Sequence, residues 1–156
     1  MELALDWEFV ADTVMGGVSQ GRIRTVTRAG RAAMALTGRV SLENDGGFVQ
    51  MAADLVPGGG AFDANGYAGI EIDVCGNGET YDLRLRTTDL TRPWQSYRVD
   101  FVAPADWVTH RFAFADFEAH RTDVPFDPTG LRRLGIVAIG HAFDADVAVA
   151  AVRLTR

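Results

Sequence analysis

Gly69-Ile70-Glu71-Ile72-Asp73-Val74-Cys75-Gly76-Asn77-Gly78-Glu79-Thr80-Tyr81-Asp82-Leu83-Arg84-Leu85-Arg86 alternates apolar and polar side chains in two runs. Ile70, Ile72 and Val74 alternate with Glu71 and Asp73; after a break, Tyr81, Leu83 and Leu85 alternate with Asp82, Arg84 and Arg86. Successive side chains of a strand point to opposite faces, so each run reads as a half-buried β-strand. Gly76-Asn77-Gly78 tolerates positive φ and predicts a tight turn, so the two runs are expected to pair as a hairpin.

The same pattern recurs on both sides. A second hairpin is expected from Arg22 to Leu36 around Ala29-Gly30, and a third from Val40-Ser41-Leu42 to the Phe48–Leu55 run through Asn44-Asp45-Gly46-Gly47. Tyr97, Val99 and Phe101 mark a further strand, and Val108, His110, Phe112 and Phe114 another; Leu134 to Ile139 and Val147 to Leu154 close the chain. Helical pattern is confined to Asp127-Pro128-Thr129-Gly130-Leu131-Arg132-Arg133, where a cap precedes a proline and one or two turns are expected. Many short strands with glycine-rich turns predict an all-β fold, a two-sheet antiparallel β-sandwich. Trp7, Phe48, Tyr81, Trp107 and Phe112 are expected in its core, and Arg84, Arg86 and Trp94 at its surface.

With 156 residues and no linker, the chain is expected to form a single domain over residues 1–156. Net charge is −6, with 21 acidic residues against 15 basic ones that are all Arg. An acidic chain disfavours nucleic acid as a partner, and the absence of lysine excludes Schiff-base and phosphate-loop lysine chemistry. One cysteine, Cys75, permits no intrachain disulfide. No signal peptide and no long apolar span is visible, so a cytoplasmic protein without membrane insertion is expected.

Catalytic and metal-binding constellations are poorly represented. Cys75 ends an apolar strand, where a packed thiol is the simpler reading. His110, His120 and His141 lack close ligand spacing. Ser19 stands in Gly17-Val18-Ser19-Gln20-Gly21, outside a Gly-x-Ser-x-Gly frame and without the strand-turn-helix that a nucleophile elbow needs. Gly58-Gly59-Gly60 has neither of the phosphate-binding spacings. Asp144 with Asp146, or Glu43 with Asp45, have the chemistry for calcium, although turn formation explains them equally well. No enzyme activity, cofactor or metal is therefore expected.

Two segments are candidates for binding. In Asp12-Thr13-Val14-Met15-Gly16-Gly17-Val18-Ser19 paired glycines permit positive φ or close approach, and Asp12 and Ser19 can bond to local amides. The segment reads either as a self-satisfied loop that caps the sandwich or as a binding loop involving Asp12, Met15, Gly16, Gly17 and Ser19. The second candidate joins Arg84 and Arg86, opposite Tyr81, Leu83 and Leu85, to Arg92, Trp94 and Gln95 in the following loop. Arginine forks and an indole suit carboxylate or sugar recognition. The alternative is a charged outer face in which those arginines pair with Glu71 and Asp73.

Trp7, Asp12 to Ser19, Gly38-Arg39-Val40-Ser41-Leu42 and Gly46-Gly47-Phe48, in that order, resemble the opening of the complex I intermediate-associated protein 30 family. Gly69-Ile70-Glu71-Ile72, Gly76 to Tyr81, Leu83 to Arg86, Tyr97, Phe101, Trp107, Phe112 and Asp116-Phe117 extend the resemblance along nearly the whole chain, with a bacterial member expected. The resemblance implies a galactose-binding-like jelly roll, a topology shared with carbohydrate-binding modules. It also implies a binding role, since mitochondrial members act as assembly chaperones for respiratory complex I. The chain departs from the family pattern at Val147-Ala148-Val149-Ala150, where Gly and Phe are frequent. The expected partner is a protein, respiratory-chain assembly intermediates among the candidates, with a sugar or small polar ligand as the alternative.

Overall fold

The computed structural model describes residues 1–156 apart from the side chain of Asp45. Its strands are β1 (Glu8–Ala11), β2 (Gln20–Arg28), β3 (Arg31–Val40), β4 (Phe48–Asp54), β5 (Gly69–Gly76), β6 (Thr80–Thr87), β7 (Ser96–Val102), β8 (Val108–Ala113), β9 (Glu118–His120), β10 (Leu131–Ile139) and β11 (Phe143–Thr155). They form two sheets, one ordered β1-β4-β10-β6-β7-β9 and the other β2-β3-β11-β5-β8. All neighbours are antiparallel. Pro128–Gly130 forms a single 3₁₀ turn, capped by the Asp127 carboxylate, which accepts from the Thr129 amide, and β10 begins at once.

The alternation translates directly into two facing layers. Val49 and Met51 of β4, Tyr81, Leu83 and Leu85 of β6, and Leu134 and Ile136 of β10 are buried from the six-stranded side. Leu36 of β3, Ile70, Ile72 and Val74 of β5, and Val147, Val149, Val152 and Leu154 of β11 meet them from the other. Burying each large aliphatic side chain contributes about 1.5–3 kcal/mol, which makes this interface the main source of stability. The accessible surface of 7768 Å² is what scaling gives for a compact protein of this mass, roughly 7,700 Å².

One expected hairpin forms and two do not. β2 pairs with β3 in register around Ala29 and Gly30, both at positive φ, as a primed turn requires. Gly76-Asn77-Gly78, however, carries the chain from one sheet to the other, since β5 and β6 lie in different layers. Its amides are taken by distant carbonyls: Gly76 donates to Pro104, Asn77 to Asp146 and Gly78 to Ala103. The Asn44 to Gly47 segment likewise crosses between layers from β3 to β4. A period of two identifies the buried face of a strand but not its neighbour, and two rows facing each other across a sandwich carry the same pattern as two rows side by side.

The expected core also needs correction at two aromatics. Tyr81 is fully buried, and Trp7 and Phe112 pack half-buried against the core. Phe48 instead opens β4 on the outer face shared with Gln50 and Ala52, opposite in phase to the buried Val49 and Met51. Trp107 lies outside the five-stranded sheet, packed on a small cluster of Ala35, Cys75 and Ala148. Its Nε1 donates to the Arg28 carbonyl at 2.9 Å, and the Arg31 guanidinium sits 5.1 Å from its ring centre. Cys75 is accordingly a packed thiol beneath this lid.

Candidate functional site

Both candidate segments belong to the surroundings of the six-stranded sheet. The chain leaves β1 into a 3₁₀ turn, Asp12–Met15, which Gly16 ends at φ 87°. Asp12 is completely buried and accepts four hydrogen bonds: Ser19 N at 3.0 Å, Ser19 Oγ at 2.5 Å, Gly47 N at 2.6 Å and Phe48 N at 3.3 Å. Ser19, also buried, accepts in turn from the Ser41 amide at 2.8 Å. Burial opposes ionisation of Asp12, but the bonds from Ser19, Gly47 and Phe48 outweigh it and hold the carboxyl below its ordinary value. A Cβ on Gly17 or on Gly46 would overlap the Asp12 carboxyl, so glycine at both positions is required by the close approach.

Asp12 and Ser19 thus commit their oxygens to the protein itself, and the loop presents other side chains outward. Val14, Met15 and Val18 are exposed, the first two by 75% and 63%. Leu42, beside the Ser41 that Ser19 holds, is exposed as well and reaches over Gly47. Val14, Met15 and Val18 lie on the Asp12–Ser19 loop and Leu42 on the segment that the Ser19–Ser41 bond ties to it, and we call these four exposed apolar side chains the rim. Met15 belongs to the segment that the sequence singles out; Leu42 does not, because its approach depends on the bonding of Ser19 to Ser41.

The second segment opens on a groove in the outer face of the six-stranded sheet, with a volume of about 300 Å³. Val10 of β1, Gln50 and Ala52 of β4, Arg133 and Gly135 of β10, and Arg84 and Arg86 of β6 line it beside Trp94 and Gln95. Cross-strand register explains the assembly: Gly135 stands between Ala52 and Arg84, and Arg133 between Asp54 and Arg86. Gly135 has no side chain to fill the depression, and a Cβ there would come within 3.0 Å of Gln50 Oε1.

The polar groups of this face have distinct partners. Arg84 is half-buried and donates through Nε and Nη2 to Asp82, at 3.1 and 2.8 Å. Arg133 pairs with Asp54 at 2.9 Å and with Glu8. Arg86 bonds to no carboxylate among the described residues; its Nε donates to the Gln95 carbonyl at 3.2 Å and its Nη2 to the Arg92 carbonyl at 2.9 Å. Burial and the nearby Arg132 and Arg133 lower its pKa from the ordinary guanidinium value. Gln95 accepts from the Thr91 and Arg92 amides and donates to the Arg121 carbonyl, which shapes the loop that carries Trp94. Trp94 is 56% exposed.

Glu71 and Asp73 are on the opposite side of the molecule, not across from Arg84 and Arg86. They pair with Arg153 of β11, and Asp73 also with Arg31. Asp144 and Asp146 pair with Arg39 and Arg28. No group of three acidic, histidine or cysteine side chains suited to a metal occurs among the described residues, and the Glu43–Asp45 pairing lies partly outside them. No helix among the described residues is long and apolar enough to cross a membrane.

The fold has counterparts among solved structures. The chain is similar to the family 11 carbohydrate-binding module of cellulosomal cellulase Lic26A-Cel5E of Clostridium thermocellum, with a TM-score of 0.77 and 12% identity over 97% of this chain and 88% of that one. A family 11 module from the same organism, in complex with a beta-1,3-1,4-mixed-linked tetrasaccharide, gives 0.73 and 14% over 97% and 89%. A family 30 module from a cellulosomal cellulase of that organism gives 0.67 and 15% over 98% and 92%. At these identities the likeness concerns the fold, a galactose-binding-like jelly roll. No curated protein matches the sequence. The family model of complex I intermediate-associated protein 30 matches residues 2–148, from the N-terminal segment through the Asp12 loop and the groove strands into β11, and the chain belongs to that family.

Proposed function

We propose that residues 1–156 form one non-enzymatic binding domain that holds a protein partner during assembly of a larger complex, with the Val14, Met15, Val18 and Leu42 rim as the contact. The observation that carries this reading is the combination of exposed apolar side chains with a loop locked by a buried, four-bonded Asp12. Clustered apolar exposure is characteristic of interaction sites, and a preformed loop loses little ordering entropy on binding. Family membership supports a respiratory-chain assembly intermediate as the partner. Val147 to Ala150, where the chain departs from the family pattern, lies within a central strand with Val147, Ala148 and Val149 buried, so the departure leaves the rim untouched.

Affinity purification of the tagged protein from its native host at low salt, with mass spectrometry of the co-purifying proteins, tests this. Respiratory-chain subunits are expected with the wild type. A Val14→Asp, Met15→Asp variant is expected to lose at least about tenfold of them while melting at an unchanged temperature. Absence of any enriched protein would remove the assembly role. A second reading, a sugar or small polar ligand in the groove, is favoured by the exposed Trp94 beside Arg84 and Arg86.

A further inference from the structure

The groove has a charge pattern that the whole chain does not share. The protein carries 21 acidic and 15 basic residues, yet the side chains lining the groove include Arg84, Arg86 and Arg133 and no carboxylate. Asp82, Asp54 and Glu8 neutralise Arg84 and Arg133 from beside it. Arg86 remains half-buried, with its charge balanced by none of the described residues.

The orientation of Arg86 gives that charge a direction. A guanidinium has two forked edges, one formed by Nε with Nη2 and one by the two Nη groups. The first is committed to the carbonyls of Gln95 and Arg92, which fixes the plane of the group. The second is left to donate, and its geometry matches the two oxygens of a carboxylate. Trp94 adds a flat apolar surface at the same groove, and the Gln50 amide lies on the floor above Gly135, so a ring and a hydroxyl have partners beside the anion.

We propose that the groove binds an acidic saccharide, with a uronate carboxylate on the free edge of Arg86, its pyranose ring against Trp94 and a hydroxyl on Gln50. This rests on the second reading above, that the groove takes a sugar, and specifies which sugars.

Titration calorimetry of the full chain at low salt, with trigalacturonate, the neutral beta-1,3-1,4-mixed-linked tetrasaccharide and a tripeptide whose only carboxylate is its C-terminus, tests it. Trigalacturonate is expected to bind at least about tenfold more tightly than the other two and to weaken as salt rises. Arg86→Gln is expected to weaken it by about 10- to 100-fold, and Trp94→Ala to weaken it as well. Arg84→Gln leaves the loop carbonyls bound and exposes Asp82 to the ligand. It is expected to act in the same direction and replaces Arg86→Gln should that variant fail to fold. Equal binding of the neutral tetrasaccharide, unaffected by Arg86→Gln, would overturn the acidic specificity and leave the sugar reading standing. Binding of neither saccharide would overturn both, and preference for the tripeptide would assign the carboxylate site to peptides.

Discussion

Asp12 shows how one side chain can organise three segments. Its carboxylate receives amides from Ser19, Gly47 and Phe48 together with the Ser19 hydroxyl, in a place that water does not reach. Asp12→Ala would leave those donors buried without partners, a loss of about 3–5 kcal/mol that a denaturant titration would read. Because its pKa is held below the unfolded value, Asp12 contributes stability that is fully present above about pH 4 and is lost as pH falls through the folded value. The acid limb of stability against pH should therefore be shallower in Asp12→Asn than in the wild type. Ser96 presents the opposite case. It is buried at the groove, and its Oγ has no hydrogen-bond partner. Removal of an unsatisfied hydroxyl costs little, so Ser96→Ala should melt at the same temperature or higher; a clear fall in Tm would show that the hydroxyl is paired in solution.

Among the elements, the crossovers carry as much information as the strands. The connection from β5 to β6 is held by Tyr81, whose phenol donates to Asn77 Oδ1 at 2.7 Å and accepts from the Asp146 amide at 2.9 Å. Burial pushes that phenol up to about 12, so it stays protonated over the whole working range. Asn77 completes the tie through Nδ2 to the Asp144 carbonyl. Tyr81→Phe keeps the ring in the core but strands two polar groups, and about 1–2 kcal/mol of stability should be lost; chemical denaturation would measure it. On the five-stranded sheet, Arg153 binds Glu71 and Asp73 across β11 and β5, and its bond to Asp73, joined by Thr109 and Arg31, holds the Asp73 carboxyl far below its usual range. That network occupies the acids that the alternation alone sets against Arg84 and Arg86.

For the molecule as a whole, the sandwich separates a stable interior from surfaces free to vary. β10 and β11 are central in their sheets, each flanked by two neighbours, whereas β1, β9, β2 and β8 are edges. Amide exchange should be slowest in β10 and β11 and fastest in β1 and β9, which are short as well as peripheral. Exchange measured by mass spectrometry after proteolysis would check this order. The two candidate surfaces are independent on this scaffold, one at a loop end and one on a sheet face, so rim and groove variants should be additive in stability.

Much of this was legible in the chain itself. The alternation of Ile70, Ile72 and Val74, and of Tyr81, Leu83 and Leu85, determined which side chains are inside and that the fold is an all-β sandwich, because a period of two is a local property of extended backbone. The Ala29-Gly30 hairpin was set by turn chemistry, and the Asp12 to Ser19 segment stood out through its paired glycines. The layer each strand joins was decided only in the tertiary structure, where Gly76 to Gly78 finds its carbonyls at Ala103, Pro104 and Asp146. So were the amides that bury Asp12, the Ser19 to Ser41 bond that sets Leu42 beside the loop, and the groove that brings Gln50 and Arg133 to Arg86. These contacts join residues far apart in the chain, and nothing in the local pattern of either partner carries the identity of the other.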